Sequence, residues 1–481
     1  MRLLTTCAAL FVVTCFSAKA SGQPPAAPPP GAQPQLAEPS LTATLEALLR
    51  RIESQQKLVD EQGRQLEQLR REIAEARAMA QPAQQADRPA GAAQPVSQAA
   101  ADEQVPHRSP ELPPDVVSAG DFPGSFKVPG SDAALKIGGL VRVNWVSTFD
   151  AMLVDDRFQA SAIPIAGSPD AARGGRVNVI ATPSRFNFDL RTPTGVGYMR
   201  AFIEGDFAGA KNTLRLRHAY GQWRRVIFGQ TWSTFSDPEA EPDGIDFEGL
   251  NAIVLFRQAQ IRWSLPLGER FRMGVALEDP NPDLTGATGV NQVPDFVVRV
   301  RWEPRFGGHV QVSGITRQLR GEPTDQADAI VGASGYGLNI SGRLPFPYWS
   351  KRDQILFQHN SGKGLGRYIA DLSSFGGQDG VYDPNVQELR LLNVVSGYVG
   401  YEHWWAQQFR SSISFGIVGV TNLDIQLADA LHLTRRSTVN LMWSPISRLD
   451  LVTEFLWGRR KNKDGREGSA AQTQIGSTFR F

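Results

Sequence analysis

From about residue 136 to the terminal Phe481 the chain alternates apolar and polar residues with a period of two, and no other feature limits its fold so strongly. Arg185-Phe186-Asn187-Phe188-Asp189-Leu190-Arg191 changes side at every step. Phe271, Met273, Val275 and Leu277 alternate with Arg272, Gly274 and Ala276, and Phe296, Val298, Val300 and Trp302 with Arg299 and Arg301. Successive side chains on a strand point to opposite faces, so each run describes a strand with one apolar and one wet face. Candidate strands fall near 136–149, 177–192, 197–208, 212–223, 225–235, 251–264, 269–279, 294–303, 308–319, 331–343, 352–360, 387–402, 408–421, 429–443, 448–460 and 470–481. They number about sixteen, an even count, as bacterial single-chain membrane barrels have. Connections after odd strands are mostly long or polar (150–176, 236–250, 280–293, 320–330, 361–386), whereas those after even strands are mostly short (192–195, 224–225, 266–269, 304–307, 444–447). Long extracellular loops alternating with short periplasmic turns produce this rhythm, which a soluble β-sandwich has no reason to show. Composition fits: 46 glycines, 9% aromatic and 21% charged residues make a chain polar on average yet rich in strand formers.

The amino-terminal part is organised differently. Residues 1–20 have a basic start, an apolar run from Leu3 to Ala18 and Ala18-Lys19-Ala20, the pattern of a cleaved secretory signal peptide. Both cysteines, Cys7 and Cys15, fall inside it, so the mature chain is expected to carry no disulfide. Lipidation at Cys15 is the other reading, for which Thr14 is a poor preceding residue. Residues 21–39 are Pro/Ala-rich and read as a disordered lead. Within 40–78, Leu45, Ile52, Val59, Leu66 and Ile73 recur every seven residues, with Leu48, Gln55, Gln62, Leu69 and Ala76 in the second seam position. This predicts a periplasmic coiled coil ~55 Å long, since a single amphipathic helix packed on a domain needs a wider apolar face. Residues 79–130 return to Ala, Pro, Gln and Asp as a flexible linker, and 131–481 are assigned to the barrel. The predicted fold class is an all-β transmembrane barrel of about sixteen antiparallel strands, in the outer membrane, with an N-terminal α-helical coiled-coil extension. In the last strand Thr473, Ile475, Ser477, Phe479 and Phe481 share one face and Gln472, Gln474, Gly476, Thr478 and Arg480 the other. Ending on Phe481 resembles the C-terminal signature of outer-membrane proteins that their barrel assembly machinery reads.

The lumen-facing positions are rich in arginine. Arg185, Arg191, Arg200, Arg215, Arg217, Arg299 and Arg301 are the leading candidates, with Arg142, Arg262, Arg272, Arg343, Arg410 and Arg480 on the same face. Lumen acids are fewer, chiefly Asp189, Glu204, Asp206, Glu278, Asp450 and Glu454. A guanidinium presents parallel donors to a carboxylate, so clustered arginines in a narrow pore would attract and orient anions. The plainer reading pairs them with the lumen acids, where they only keep the wall hydrated. The connection after the fifth strand carries six acids in thirteen residues: Asp237, Glu239, Glu241, Asp243, Asp246 and Glu248. In sixteen-stranded channel barrels this loop folds inward as the constriction, where acids facing arginines would set up a transverse field. A Ca2+ site is the alternative, but the spacing does not match an EF-hand.

Signals for catalysis are poor. The six histidines are scattered without HExxH, and Val331-Gly332-Ala333-Ser334-Gly335-Tyr336 lacks the final glycine of GxSxG. His218, beside Leu216, is read as facing outward at a subunit contact. Ser361 to Tyr368 lacks the Ser or Thr that follows the lysine of a P-loop and reads as a structured loop turn. No catalytic residue, cofactor or metal is expected, and a net charge of +1 gives no ground for nucleic acid as partner.

Leu214-Arg215-Leu216-Arg217-His218-Ala219-Tyr220-Gly221, then Phe228-Gly229-Gln230-Thr231-Trp232-Ser233-Thr234-Phe235, the Gly364 to Tyr368 stretch and the terminal Phe resemble the DcaP-like family of trimeric porins. The resemblance implies a homotrimer of sixteen-stranded barrels in outer-membrane lipid, a trimeric periplasmic coil, and passive uptake of small anionic solutes such as dicarboxylates. A different function would be a structural tether in which 40–78 contacts the cell wall or a periplasmic partner and the barrel is an anchor. A plugged or apolar lumen would favour the tether, and a polar one the channel.

Overall fold

A computed structural model describes residues 118–481 apart from 327. The expected signal peptide, Pro/Ala-rich lead, coiled coil and most of the linker lie outside the described residues. Sixteen long strands follow: β1 Ala134–Thr148, β2 Arg185–Thr194, β3 Gly197–Asp206, β4 Arg215–Trp223, β5 Val226–Trp232, β6 Arg257–Leu267, β7 Phe271–Glu278 and β8 Asp295–Trp302. The second half is β9 His309–Pro323, β10 Val331–Pro345, β11 Gln354–Lys363, β12 Asn393–Trp404, β13 Phe409–Thr421, β14 Leu431–Ile446, β15 Leu449–Asn462 and β16 Glu467–Arg480. Each pairs antiparallel with its neighbours, and β1 closes on β16 from Leu140↔Arg480 to Thr148↔Gln472. Closure pairs the sheet edges that would otherwise strand backbone groups in lipid. No helix among the described residues is long and apolar enough to span a membrane; the strands cross it.

Burial runs opposite to that of a water-soluble protein. Val141, Val143 and Trp145 on β1 are exposed outward while Asn144 between them is fully buried, as are Gln472 and Gln474 on β16. The outer face meets lipid and the inner face is polar. Phe481 sits at the closing seam, where its N–H donates to the Gly139 carbonyl (3.2 Å) and its own carbonyl accepts from Gly139 N–H (3.4 Å).

Three expected strands have different limits. The run 177–192 is broken: Arg176–Ile180 and β2 both pair with β1, and between them Ser184 Oγ accepts from Arg142 N–H (3.0 Å) and donates to Arg142 O (3.2 Å), replacing a ladder partner. The run 251–264 becomes strand only at Arg257, because its apolar start packs inside the lumen. The run 387–402 divides, Glu388–Leu391 joining Leu284–Thr285 and Gly380–Asp383 in a small separate sheet.

A bulge corrects the outward placement of His218. Glu204 on β3 pairs with His218, yet the next residue, Gly205, pairs with Leu216, so Arg217 is an extra residue on β4. An inserted residue shifts the alternation by one. Arg217 and His218 are both buried on the inner side, and His218 Nδ1 lies 3.1 Å from Thr231 Oγ1.

Candidate functional site: the pore constriction

The chain enters the lumen at the end of β5. Gly229 has φ +121°, and a Cβ there would lie 2.3 Å from the Ala219 carbonyl oxygen, so the close approach of β5 to β4 requires glycine. Ser233 Oγ then donates to Glu278 Oε2 (2.6 Å) and Thr234 N–H to Glu278 Oε1 (2.6 Å), which turns residues 233–256, loop L3, inward. Phe235 follows with 0% exposure, its ring edge-on to Tyr368.

L3 is fastened strand by strand around the inner wall. Asp237 Oδ2 accepts from Ser341 Oγ on β10 (2.8 Å) and pairs with His309 Nε2 on β9 (2.8 Å). Tyr398 OH on β12 donates to Ala240 O (2.9 Å), and Ser412 Oγ and Asn440 Nδ2 donate to Asp243 O (2.6 and 2.7 Å). Glu454 on β15 accepts from Ile245 N–H (2.9 Å), and Asn144 Nδ2 on β1 donates to Ile245 O (2.9 Å). Asp246 accepts from Arg436 Nη2 (2.9 Å), Gln474 Nε2 (2.6 Å) and Phe158 N–H (2.9 Å). The return limb is apolar: Ala252, Ile253 and Val254 have 0% exposure against the wall residues Val297, Ile315 and Tyr398.

Two further loops also turn inward. In the loop at residues 364–392, Tyr368 OH donates to Asp295 Oδ2 (2.7 Å), and Ile369 and Leu372 join the L3 apolar cluster. Helix α1, Ala370–Phe375, follows, its Asp371 accepting from Ser161 N–H (2.9 Å) of the loop after β1. Arg460 Nη1 on β15 donates to Ser161 O (2.8 Å), and Phe158 of that loop is fully buried. Three loops therefore narrow the lumen where the sequence suggests one. Phe158 to Ile163 and Leu365 to Leu372 are short apolar islands in long polar connections, which is the signal that was available.

A cavity of about 500 Å³ remains. Seven arginines line it: Arg142, Arg185, Arg215, Arg217 and Arg257 from β1 to β6, and Arg157 and Arg436 elsewhere. Five carboxylates face them: Glu241, Asp243, Asp246 and Glu248 of L3, and Glu454. Of the seven leading lumen arginines, Arg185, Arg215 and Arg217 line this cavity, as does Arg142 of the wider set. The other four leading candidates are not among its lining residues. Arg191 and Arg200 clamp Asp189 (2.8 Å each), Arg301 holds Glu239 (2.7 Å) and Glu303 (3.0 Å), and Arg299 lies against Gly274. Asp237 and Glu239 of the expected acids anchor the loop. The sequence does not mark Arg257, which opens β6 where the alternation has not begun and to which parity gives the outward face.

Pairing divides the cations. Arg215 meets Asp206 (2.7 Å), Arg217 meets Glu204 and Asp206 (2.8 Å each), and Arg185 shares Glu204 at 3.5 Å. Arg142 has only the Thr478 hydroxyl (3.1 Å), and Arg257 lies 4.5 Å over the Trp232 ring; neither has a carboxylate partner among the described residues. On the loop, Glu241 keeps some surface toward the pore but is surrounded by barrel wall, and this loss of solvent raises its carboxyl to about 7, Asp243 adding to the rise and Arg436 opposing it. Burial likewise raises Glu248, while for Asp237 the hydrogen bonds from His309 and Ser341 outweigh burial and hold it below the usual carboxylate range. Among the described residues no group of three or more His, Cys, Asp or Glu is arranged to hold a metal ion.

A closed sixteen-stranded barrel with a polar lumen narrowed by inward loops defines an outer-membrane porin, a channel rather than an enzyme. The family model described as DcaP outer membrane protein matches residues 111–481, and the chain belongs to that family. The outer membrane channel DcaP of Acinetobacter baumannii has a similar fold at 21% identity, with a TM-score of 0.66 over 74% of this chain and 100% of that one. An anion-selective porin from Comamonas acidovorans aligns at 11% identity and a TM-score of 0.50, over 73% of this chain and 100% of that one. A comparison with curated proteins finds no match.

Proposed function

We propose that this porin passes small hydrophilic solutes with a preference for anions, dicarboxylates among them, and that it works as a homotrimer. The observation that carries the proposal is a pair of cavity-lining guanidiniums, Arg142 and Arg257, with no acid partner among the described residues, whereas Glu204 and Asp206 neutralise Arg185, Arg215 and Arg217 from behind. An unpaired guanidinium keeps its donors for a passing solute. Arg142, Arg185, Arg215, Arg217 and Arg257 of the wall line the same cavity as Glu241, Asp243 and Glu248 of L3, so a solute passes between wall cations and loop acids. A dicarboxylate would lie with its charges toward the arginine wall and its methylene side toward the loop. The neighbour from Comamonas acidovorans, described as anion-selective, points the same way. The polar cavity favours transport over a purely structural tether.

Block of chloride current by succinate in planar bilayers tests this reading. Succinate is expected to block more strongly than acetate at equal charge concentration. Replacing both Arg142 and Arg257 by serine should weaken that block by ~4-fold, ~2-fold for each screened pore charge removed. Equal block by the two acids, or an unchanged block in the double variant, would reject the dicarboxylate assignment.

A further inference from the structure

On the outer wall, Arg435 of β14 stands directly opposite Arg459 of β15. Both are exposed, and they face away from the lumen, since the neighbours Arg436 and Arg460 are buried on the inner side. Lys461 lies two residues beyond Arg459 on the same face. Like charges opposite one another across a strand pair destabilise it. One carboxylate is at hand: Glu467 of β16 sits 3.1 Å from Arg459 and 3.8 Å from Lys461. Arg435 has no carboxylate partner among the described residues, which leaves three cations to one acid on a wall otherwise built for lipid.

The height of this cluster identifies what it meets. Trp443, stacked on Phe409 at 6.0 Å, marks the periplasmic edge of the apolar band on β14. Arg435 lies eight residues further along the strand. At ~3.4 Å per residue and a tilt of ~40° this places it ~21 Å above Trp443, close to the full ~25 Å of a barrel's apolar band. Trp457, one outward position below Arg459, supplies the aromatic that ends the band on the other side. The arginine pair therefore sits at the level of lipid headgroups in the extracellular leaflet.

We propose that Arg435, Arg459 and Lys461 form a binding site for a phosphate-bearing lipid headgroup of the outer leaflet, its phosphate bridging the two opposed guanidinium groups. A phosphate accepts from both forks at once and turns a repulsive pair into a shared ion bridge. The site is independent of pore selectivity, so the two proposals stand or fall separately.

The test is titration of the detergent-solubilised full-length protein with diphosphoryl lipid A, read by native mass spectrometry and by lipid-dependent thermal stabilisation. Dephosphorylated lipid A, phosphatidylglycerol and inorganic phosphate are the comparison ligands. Diphosphoryl lipid A is expected to bind best, and Arg435→Ser with Arg459→Ser to weaken it by ~30-fold, from two headgroup-level cations. Arg435→Gln alone leaves the Arg459–Glu467 pair in place and should weaken binding by ~5-fold, which keeps the test open if the double variant assembles poorly. Binding that survives both changes, binding of dephosphorylated lipid A with equal affinity, or inorganic phosphate binding as well as the lipid would overturn the proposal. So would a change in oligomeric state without loss of lipid binding, which would make the patch a subunit contact.

Discussion

Glu241 is where a single proton can alter the pore. It lines the constriction with a carboxyl raised to about 7, in reach of Arg436 and Arg142 and of Asp243 and Asp246. Below that value it is neutral, and above it the constriction gains a negative charge. Anion preference should therefore fall as pH rises from 6 to 8, and Glu241→Gln should abolish the change while keeping the low-pH selectivity. Zero-current potentials at the two pH values measure this, and an identical slope in wild type and variant would assign the titration to another group. Much at this scale was legible in the sequence. Arg215 and Arg217 are two apart, so strand alternation alone puts both on one face, and both line the cavity. His218 was not legible, because a bulge is a relation between two strands and only β3 reveals that Arg217 is the extra residue. The partners of the arginines were hidden for the same reason: Asp206 reaches Arg215 and Arg217 through register.

L3 is an element whose position rests on a few buried polar anchors and an apolar limb. Asp237 is 1% exposed between His309 and Ser341, and replacing it by alanine leaves both without that partner. The cost should be about 1–3 kcal/mol, the usual penalty for orphaned buried groups. The barrel ladder is untouched, so the expected result is a noisier and larger single-channel conductance with the barrel still folded; a quiet pore of unchanged conductance would show that the apolar limb alone holds the loop. The sign of the acid response follows from the same residue. A carboxyl held below its ordinary 3.8 stabilises the loop at all pH values above that figure and releases it only as pH falls through the lower folded value. The strands and their rhythm were readable because alternation is local. The inward course of the loops at 149–184 and 364–392 was not, since it depends on contacts such as Arg460 with Ser161 and Tyr368 with Asp295, between residues far apart in the chain.

For the whole molecule, β1 and β16 close the barrel from Leu140↔Arg480 to Thr148↔Gln472. Deleting 40–78 should leave unit conductance within error of the full chain. If the segment is a trimeric coil, the deletion should lower the thermal stability of the trimer in detergent, and a change in unit conductance would instead tie it to the pore. The central claim is that the constriction favours anions. Its most direct test is the zero-current potential of the purified full-length protein in a planar bilayer under a tenfold KCl gradient. The two lining arginines without a carboxylate partner among the described residues, Arg142 and Arg257, predict the sign of a chloride-selective pore, whereas a potential of the opposite sign would contradict the account.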